Sequence, residues 1–140
     1  EIINNRTVGT GIISYYITEN PIKDSSYYPY PTSIFIHDNS YARKKEKATM
    51  RGRMGKLFRF KLKFGKDVPH IIYDGILDDK LVGAGGKYPD KSRICLWNNK
   101  GASYADIDAA RNFKNISRDI SQVNCSQPPL QEVKTWVPSL

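Results

Sequence analysis

The chain has no apolar run of 18 residues, only two cysteines and only two histidines in its 140 residues. Each shortage removes a class of answer. Without a long apolar stretch there is no membrane-crossing helix to expect. Two cysteines do not make a disulfide-dense scaffold, and Cys95 and Cys125 lack the close spacing of a zinc knuckle. With His37 and His70 as the whole imidazole supply, a site of two or three histidine ligands is hard to assemble, so no metal and no cofactor are expected. Glutamate is scarce too, with Glu1, Glu19, Glu46 and Glu132 standing in unrelated contexts, and paired carboxylates for glycosidic chemistry are not anticipated. The sequence assigns no catalytic residue and leaves open whether the protein is an enzyme.

Basic charge is abundant and concentrated. The formal net charge is +8, and the window from Tyr41 to Lys66 carries eleven Lys/Arg against the single acid Glu46, about +10. The rest of the chain holds eleven basic and thirteen acidic groups, about −2. Charge confined in this way reads as an interaction site for a polyanion, against the simpler reading of a solvated loop. Tyrosine is also abundant, with nine Tyr against five Phe and two Trp. Its ring and polar tip suit both half-buried strand positions and binding surfaces.

The elements read as mainly β, an α+β chain with one short helix. A small barrel or a sandwich is the architecture expected, with the topology undetermined. The whole of 1–140 reads as one basic β-rich domain, with a flexible basic segment near 41–56 and an extended Pro-containing tail near 127–140. Val8 to Ile17, Ser33 to His37, Val68 to Tyr73 and Arg93 to Trp97 are rich in β-branched and aromatic residues and read as strands. Between the first two lies a proline-rich loop containing Tyr27, Tyr28 and Tyr30. Leu57 to Phe64 alternates Phe58, Phe60, Leu62 and Phe64 with Arg59, Lys61 and Lys63, the period of a strand with one apolar and one cationic side. Ser103 opens the expected helix, with Asp106 at capping-box spacing and Ala109-Ala110 within, running to about Lys114. Asp74, Asp78 and Asp79 do not have calcium-loop spacing and read as solvated turn carboxylates. Gly83-Ala84-Gly85-Gly86-Lys87 lacks the Gly-Lys-Ser/Thr ending of a phosphate-binding loop.

The leading functional expectation is a non-catalytic nucleic-acid-binding protein, DNA or RNA. Arg43, Lys44, Lys45, Lys47, Arg51, Arg53 and Lys56 on a mobile loop and Arg59, Lys61 and Lys63 on the strand would neutralise phosphates. Tyr27, Tyr28, Tyr30 and Tyr41 are available to stack on bases. Three alternatives stand beside it. A secreted or surface module would use the same cations on an acidic glycan, an anionic lipid or an acidic protein, and the sequons at Asn5, Asn115 and Asn124 fit that setting. A small metal-independent ribonuclease-type toxin would draw on His37 and His70. A viral coat or matrix protein also joins a β domain to a basic segment. Nuclear, virion and secreted locations are all compatible, and the oligomeric state is not legible.

Overall fold

A computed structural model describes residues 1–44, 48 and 52–126. It contains seven short strands: β1 (Ile2–Asn5), β2 (Thr10–Ile12), β3 (Phe35–His37), β4 (Tyr41–Arg43), β5 (Ile71–Tyr73), β6 (Cys95–Trp97) and β7 (Tyr104–Asp106). The sole α-helix among the described residues is α1 (Gly52–Lys56), and the remaining helical turns are short 3-10 or π segments. The β-dominated expectation therefore holds.

Every pairing between these strands is parallel. One face pairs β3 with β6, a second pairs β1 with β4, and a third orders β2-β5-β7. Parallel single-residue bridges extend the pattern, Leu96 to Asn124 on the first face and Ser40 to Lys100 on the second. The chain visits first, second and third face in turn and then repeats, so each circuit stacks on the one before. That is a parallel solenoid. No closed barrel forms among the described residues, because the pairings connect successive circuits and do not run around a ring.

The third face is buried on both sides, as parallel sheets require. Ile71 and Tyr73 of β5 point into the solenoid with Ile12, Tyr104, Leu96, Ile94 and Tyr41. Ile72 and its register partner Ala105 point the other way, against Phe58, Leu62, Phe64, Val68 and Ile107. The described part of the segment between β4 and β5 is thus a cover laid over the outside of the sheet. Each of its fully buried side chains contributes about 1.5–3 kcal/mol.

Three sequence expectations fail here. Leu57 to Phe64 is not a strand: α1 runs into a π-helical turn at Leu57–Lys61, closed by the Leu62 N–H donating to the Leu57 carbonyl at 3.0 Å. Phe58 and Leu62, four residues apart, fall on the buried side, whereas Phe60 is 68% exposed. An inserted cover has no neighbouring strand to pair with, so it satisfies its backbone locally. Gly52–Lys56, expected as a mobile loop, is helical for the same reason. Ser103 does not open a helix either. Tyr104–Asp106 pairs with β5, and the left-handed backbone at Asp108, Asn112 and Phe113 leaves only the 3-10 turn Ala109–Arg111. Ladder bonds and burial outweigh the propensity of the alanines.

The corner between the first and second faces is built from stacked side-chain amides. Asp38 and Asn98 take left-handed conformations, with φ of 53° and 48°, and turn the chain. The next residues stack: the Asn39 amide donates to Asn99 Oδ1 at 3.2 Å and to the His37 carbonyl at 2.8 Å, and Asn99 Nδ2 donates to the Ile36 carbonyl at 2.8 Å. Replacing Asn99 by alanine strands several of these partly buried groups, and an equilibrium denaturant titration is expected to show a loss of about 1–3 kcal/mol. A loss within error of zero would mean that the corner stack contributes nothing to stability.

Candidate functional site

The third face ends in aspartates. Residue by residue, Ile12, Tyr73 and Asp106 are in register, so Asp74 and Asp108 lie just past the strand ends. Asp74 is fully buried, and its carboxylate is a bracket between circuits. Oδ2 accepts the Ser14 N–H at 2.5 Å and Oδ1 accepts the Ile76 N–H at 3.1 Å, while its carbonyl accepts the Ala109 N–H at 2.7 Å. Asp78 is also buried and accepts the Tyr28 hydroxyl at 2.9 Å and the Lys80 N–H at 3.0 Å. The expectation of solvated turn carboxylates is corrected for these two residues: each satisfies backbone donors that would otherwise be left unpaired inside the fold. Asp79 is exposed, as expected.

The loops leaving these strand ends form two clefts. One, of about 510 Å³, is walled by Tyr73, Tyr88, Tyr104, Lys87, Arg93 and Asp90, among others. The other, of about 570 Å³, is walled by Tyr16, Tyr30, Gly75, Asp79, Asp108 and Arg111, among others. Leu77 and Asp106 belong to both walls, so the clefts abut at these two side chains. Exposed tyrosines line the approach. Tyr16 packs on Tyr30 with ring centroids 5.1 Å apart, Tyr30 on Tyr28 at 5.5 Å, and Tyr15 on Tyr27 at 5.6 Å. Tyr16, Tyr27 and Tyr28 are each 43–51% exposed, and Leu77 is 43% exposed.

The carboxyls at the cleft floor differ in character. Burial raises the Asp106 pKa above the ordinary carboxyl range. The Asp108 N–H it accepts at 2.8 Å acts in the opposite sense, while the nearby charges of Asp108 and Asp74 reinforce the rise. For Asp108, burial acts to raise the pKa, but donation from Arg111 and from the Asn115 backbone and side chain outweighs it and holds the group lower. Two acids two residues apart are thereby pushed in opposite directions. The Tyr30 hydroxyl is pushed up to about 12, first by its hydrogen bond with Tyr16 and then by burial.

The cations anticipated for nucleic-acid contact stand on other elements. Lys44, Arg53, Lys56, Lys61 and Lys63 are exposed, the last four on or beside the helical cover. The Lys61 ammonium lies 4.5 Å from the centre of the Phe113 ring. Arg43 is partly buried and donates to the Thr7 carbonyl at 3.1 Å and to the Val68 carbonyl, so its guanidinium ties the cover to the second face. Lys45, Lys47 and Arg51, the Arg59 side chain and the tail at 127–140 lie outside the described residues. Tyr30 lines the second cleft and Tyr28 packs on it and donates to Asp78, whereas Tyr27 lines a separate pocket with Tyr15, Ile22, Lys23 and Asp24. Tyr41 is 5% exposed, packed inside the solenoid, and is corrected as a stacking residue because its ring has no open face.

The histidines do not meet in a common site. His37 stacks on Phe35 and pairs with Asp38, whereas His70 bonds Ser103 Oγ at 2.9 Å and packs edge-on to Tyr41. Cys95 and Cys125 are bridged. Among the described residues no group of three or more His, Cys, Asp or Glu is placed to hold a metal ion, and no helix is long and apolar enough to cross a membrane. Comparison with protein-family models, with curated proteins and with solved structures finds no significant match.

Proposed function

We propose that this protein is a secreted or surface glycan-binding module whose site is the pair of clefts abutting at Leu77 and Asp106. The observation that carries the reading is the exposed Tyr16 ring and the partly exposed Tyr30 ring standing with Asp79, Asp106 and Asp108 on the wall of one cleft, next to a second cleft that shares Leu77 and Asp106. A sugar ring offers flat C–H faces that pack on an aromatic face, and a rim of hydroxyls that donate to carboxylates. The same walls hold no excess of positive charge for a phosphate chain, because Asp79, Asp90, Asp106 and Asp108 offset Lys87, Arg93 and Arg111, with Asp90 and Asp108 in ion pairs. The Cys95–Cys125 bridge fits an oxidising compartment.

The test is isothermal titration with a panel of neutral and acidic oligosaccharides, beside a Tyr16→Ala/Tyr30→Ala variant. Binding by the wild type that weakens at least tenfold in the variant is expected. Affinity unchanged by loss of both rings, or no glycan bound, would overturn the reading.

A second reading keeps the helical cover as a nucleic-acid contact, favoured by the exposed Arg53, Lys56, Lys61 and Lys63. It predicts affinity for DNA or RNA that falls steeply with salt, with a log–log slope of about −0.9 per phosphate neutralised. Reversing the charge at Arg53, Lys56 and Lys63 would then abolish binding. A shallow salt dependence, or binding that survives the reversal, counts against it.

A further inference from the structure

We propose that the paired clefts cleave the glycan they bind, with Asp106 as the acid that protonates the bridging oxygen and Asp79 as the base that activates water. This rests on the glycan reading and adds a reaction to it. Asp106 belongs to the walls of both clefts, so its carboxyl stands where the two meet and within reach of a sugar bound in either. Tyrosines stand on either side, Tyr16 and Tyr30 along one arm and the half-buried Tyr88 along the other, while Tyr73 and Tyr104 are packed in the core beneath. Contacts on both sides of a linkage are what allow binding energy to be applied at the bond between them.

The Asp106 carboxyl is also held in place. Oδ1 accepts the Asp108 N–H at 2.8 Å, and the side chain lies against Gly75, where an added Cβ would collide with it. Gly75, at φ +73°, both turns the chain and leaves the space that the carboxyl fills. Partial burial with anionic neighbours keeps the proton on Asp106 to higher pH than on a free carboxyl, as an acid catalyst needs. Asp79 stands on the wall of the Tyr16–Tyr30 arm and is exposed to solvent. Asp108, enclosed by Arg111 and Asn115, is a positioning residue that presents its backbone N–H to Asp106.

The step balances without a co-reactant other than water. Asp106 gives its proton to the bridging oxygen as the bond from that oxygen to the anomeric carbon breaks. Water adds to that carbon, and its proton passes to Asp79. Exchange with solvent then returns both carboxyls to their starting states.

The experiment compares the wild type with Asp106→Asn and Asp79→Asn, following new reducing ends from those oligosaccharides the wild type binds in the titration. Asparagine keeps the size of the side chain and its acceptor for the Asp108 N–H. A matching amide NMR spectrum checks the fold. Asp106→Asn is expected to lose about 10²–10⁴-fold in cleavage at saturating glycan. It should regain most of its rate on an aryl glycoside whose leaving group needs no proton, and it should lose the alkaline limb of the pH–rate profile. Asp79→Asn should be slow on both substrates. A wild type that binds glycans and cleaves none overturns this inference and leaves the binding reading intact, as does an Asp106→Asn variant that cleaves at the wild-type rate. A wild type that binds no glycan overturns both.

Discussion

Replacing Asp74 by alanine is expected to destabilise the fold by about 3 kcal/mol, the largest effect of any single substitution at the strand ends. The carboxylate is fully buried and holds the Ser14 and Ile76 N–H groups. Ser14 belongs to the circuit of β2, and Ala109, held by the Asp74 carbonyl, to that of β7. Removing the side chain leaves the Ser14 N–H without its acceptor in a buried environment and opens a small cavity beside it. Asparagine keeps one acceptor oxygen, so Asp74→Asn should cost roughly half as much. Urea unfolding of the three proteins measures this directly. A loss below about 1 kcal/mol for alanine would show that the circuits are held at this end by packing alone.

Loss of the Cys95–Cys125 bridge is expected to cost a similar amount, roughly 3–4 kcal/mol, from the entropy of closing a loop with a sequence separation of 30. Cys95 is a buried residue of β6, and Cys125 follows Asn124, whose backbone bridges Leu96. The bond therefore fastens the last turn of the described chain to the first face, alongside backbone hydrogen bonds such as Leu96 N–H to the Val123 carbonyl at 2.8 Å, the Arg93 guanidinium on the Gln122 carbonyl and the packing of Val123. A Cys95→Ala/Cys125→Ala variant should unfold at lower urea concentration. Its Ser117–Ser126 amides should exchange with solvent faster than those of β5. Unchanged stability would mean that the reduced chain is already held by the burial of Val123 and Cys95 side-chain positions.

The strands were legible where β-branched residues cluster between turns. Phe35–His37, Ile71–Tyr73 and Cys95–Trp97 fall inside segments the composition marks as extended. Their parallel stacking was not. Equivalent positions are 60 residues apart from Phe35 to Cys95, 61 from Thr10 to Ile71 and 33 from Ile71 to Tyr104, so insertions conceal the repeat. Phe58 to Phe64 shows the limit of pattern reading. Its alternation satisfies a strand, yet burial of Phe58, Leu62 and Phe64 also satisfies a helical cover, and only the absence of a pairing neighbour decides between them.

The proposed clefts are less legible in the sequence. Tyr27, Tyr28 and Tyr30 read as residues that stack on bases, and the scarcity of glutamate draws attention away from aspartate. Asp106 reads as a helix cap and Asp74 as a turn carboxylate. The signal that would have found them is an Asp placed directly after an apolar strand, Ile71-Ile72-Tyr73-Asp74 and Tyr104-Ala105-Asp106. An acid at the end of a buried strand must be hydrogen-bonded, or neutral, or both.

The central claim is that the working surface of this protein lies at the aspartate-bearing ends of the third face and not on its basic cover. Amide chemical-shift mapping tests it most directly, with one sample titrated with an oligosaccharide selected from the binding panel and a second with an oligonucleotide. The account predicts saturable shifts at Tyr16, Tyr30, Gly75, Leu77 and Asp106 with the oligosaccharide, and little change from Gly52 to Lys66. Shifts confined to Gly52–Lys66 and elicited by the oligonucleotide alone would contradict it.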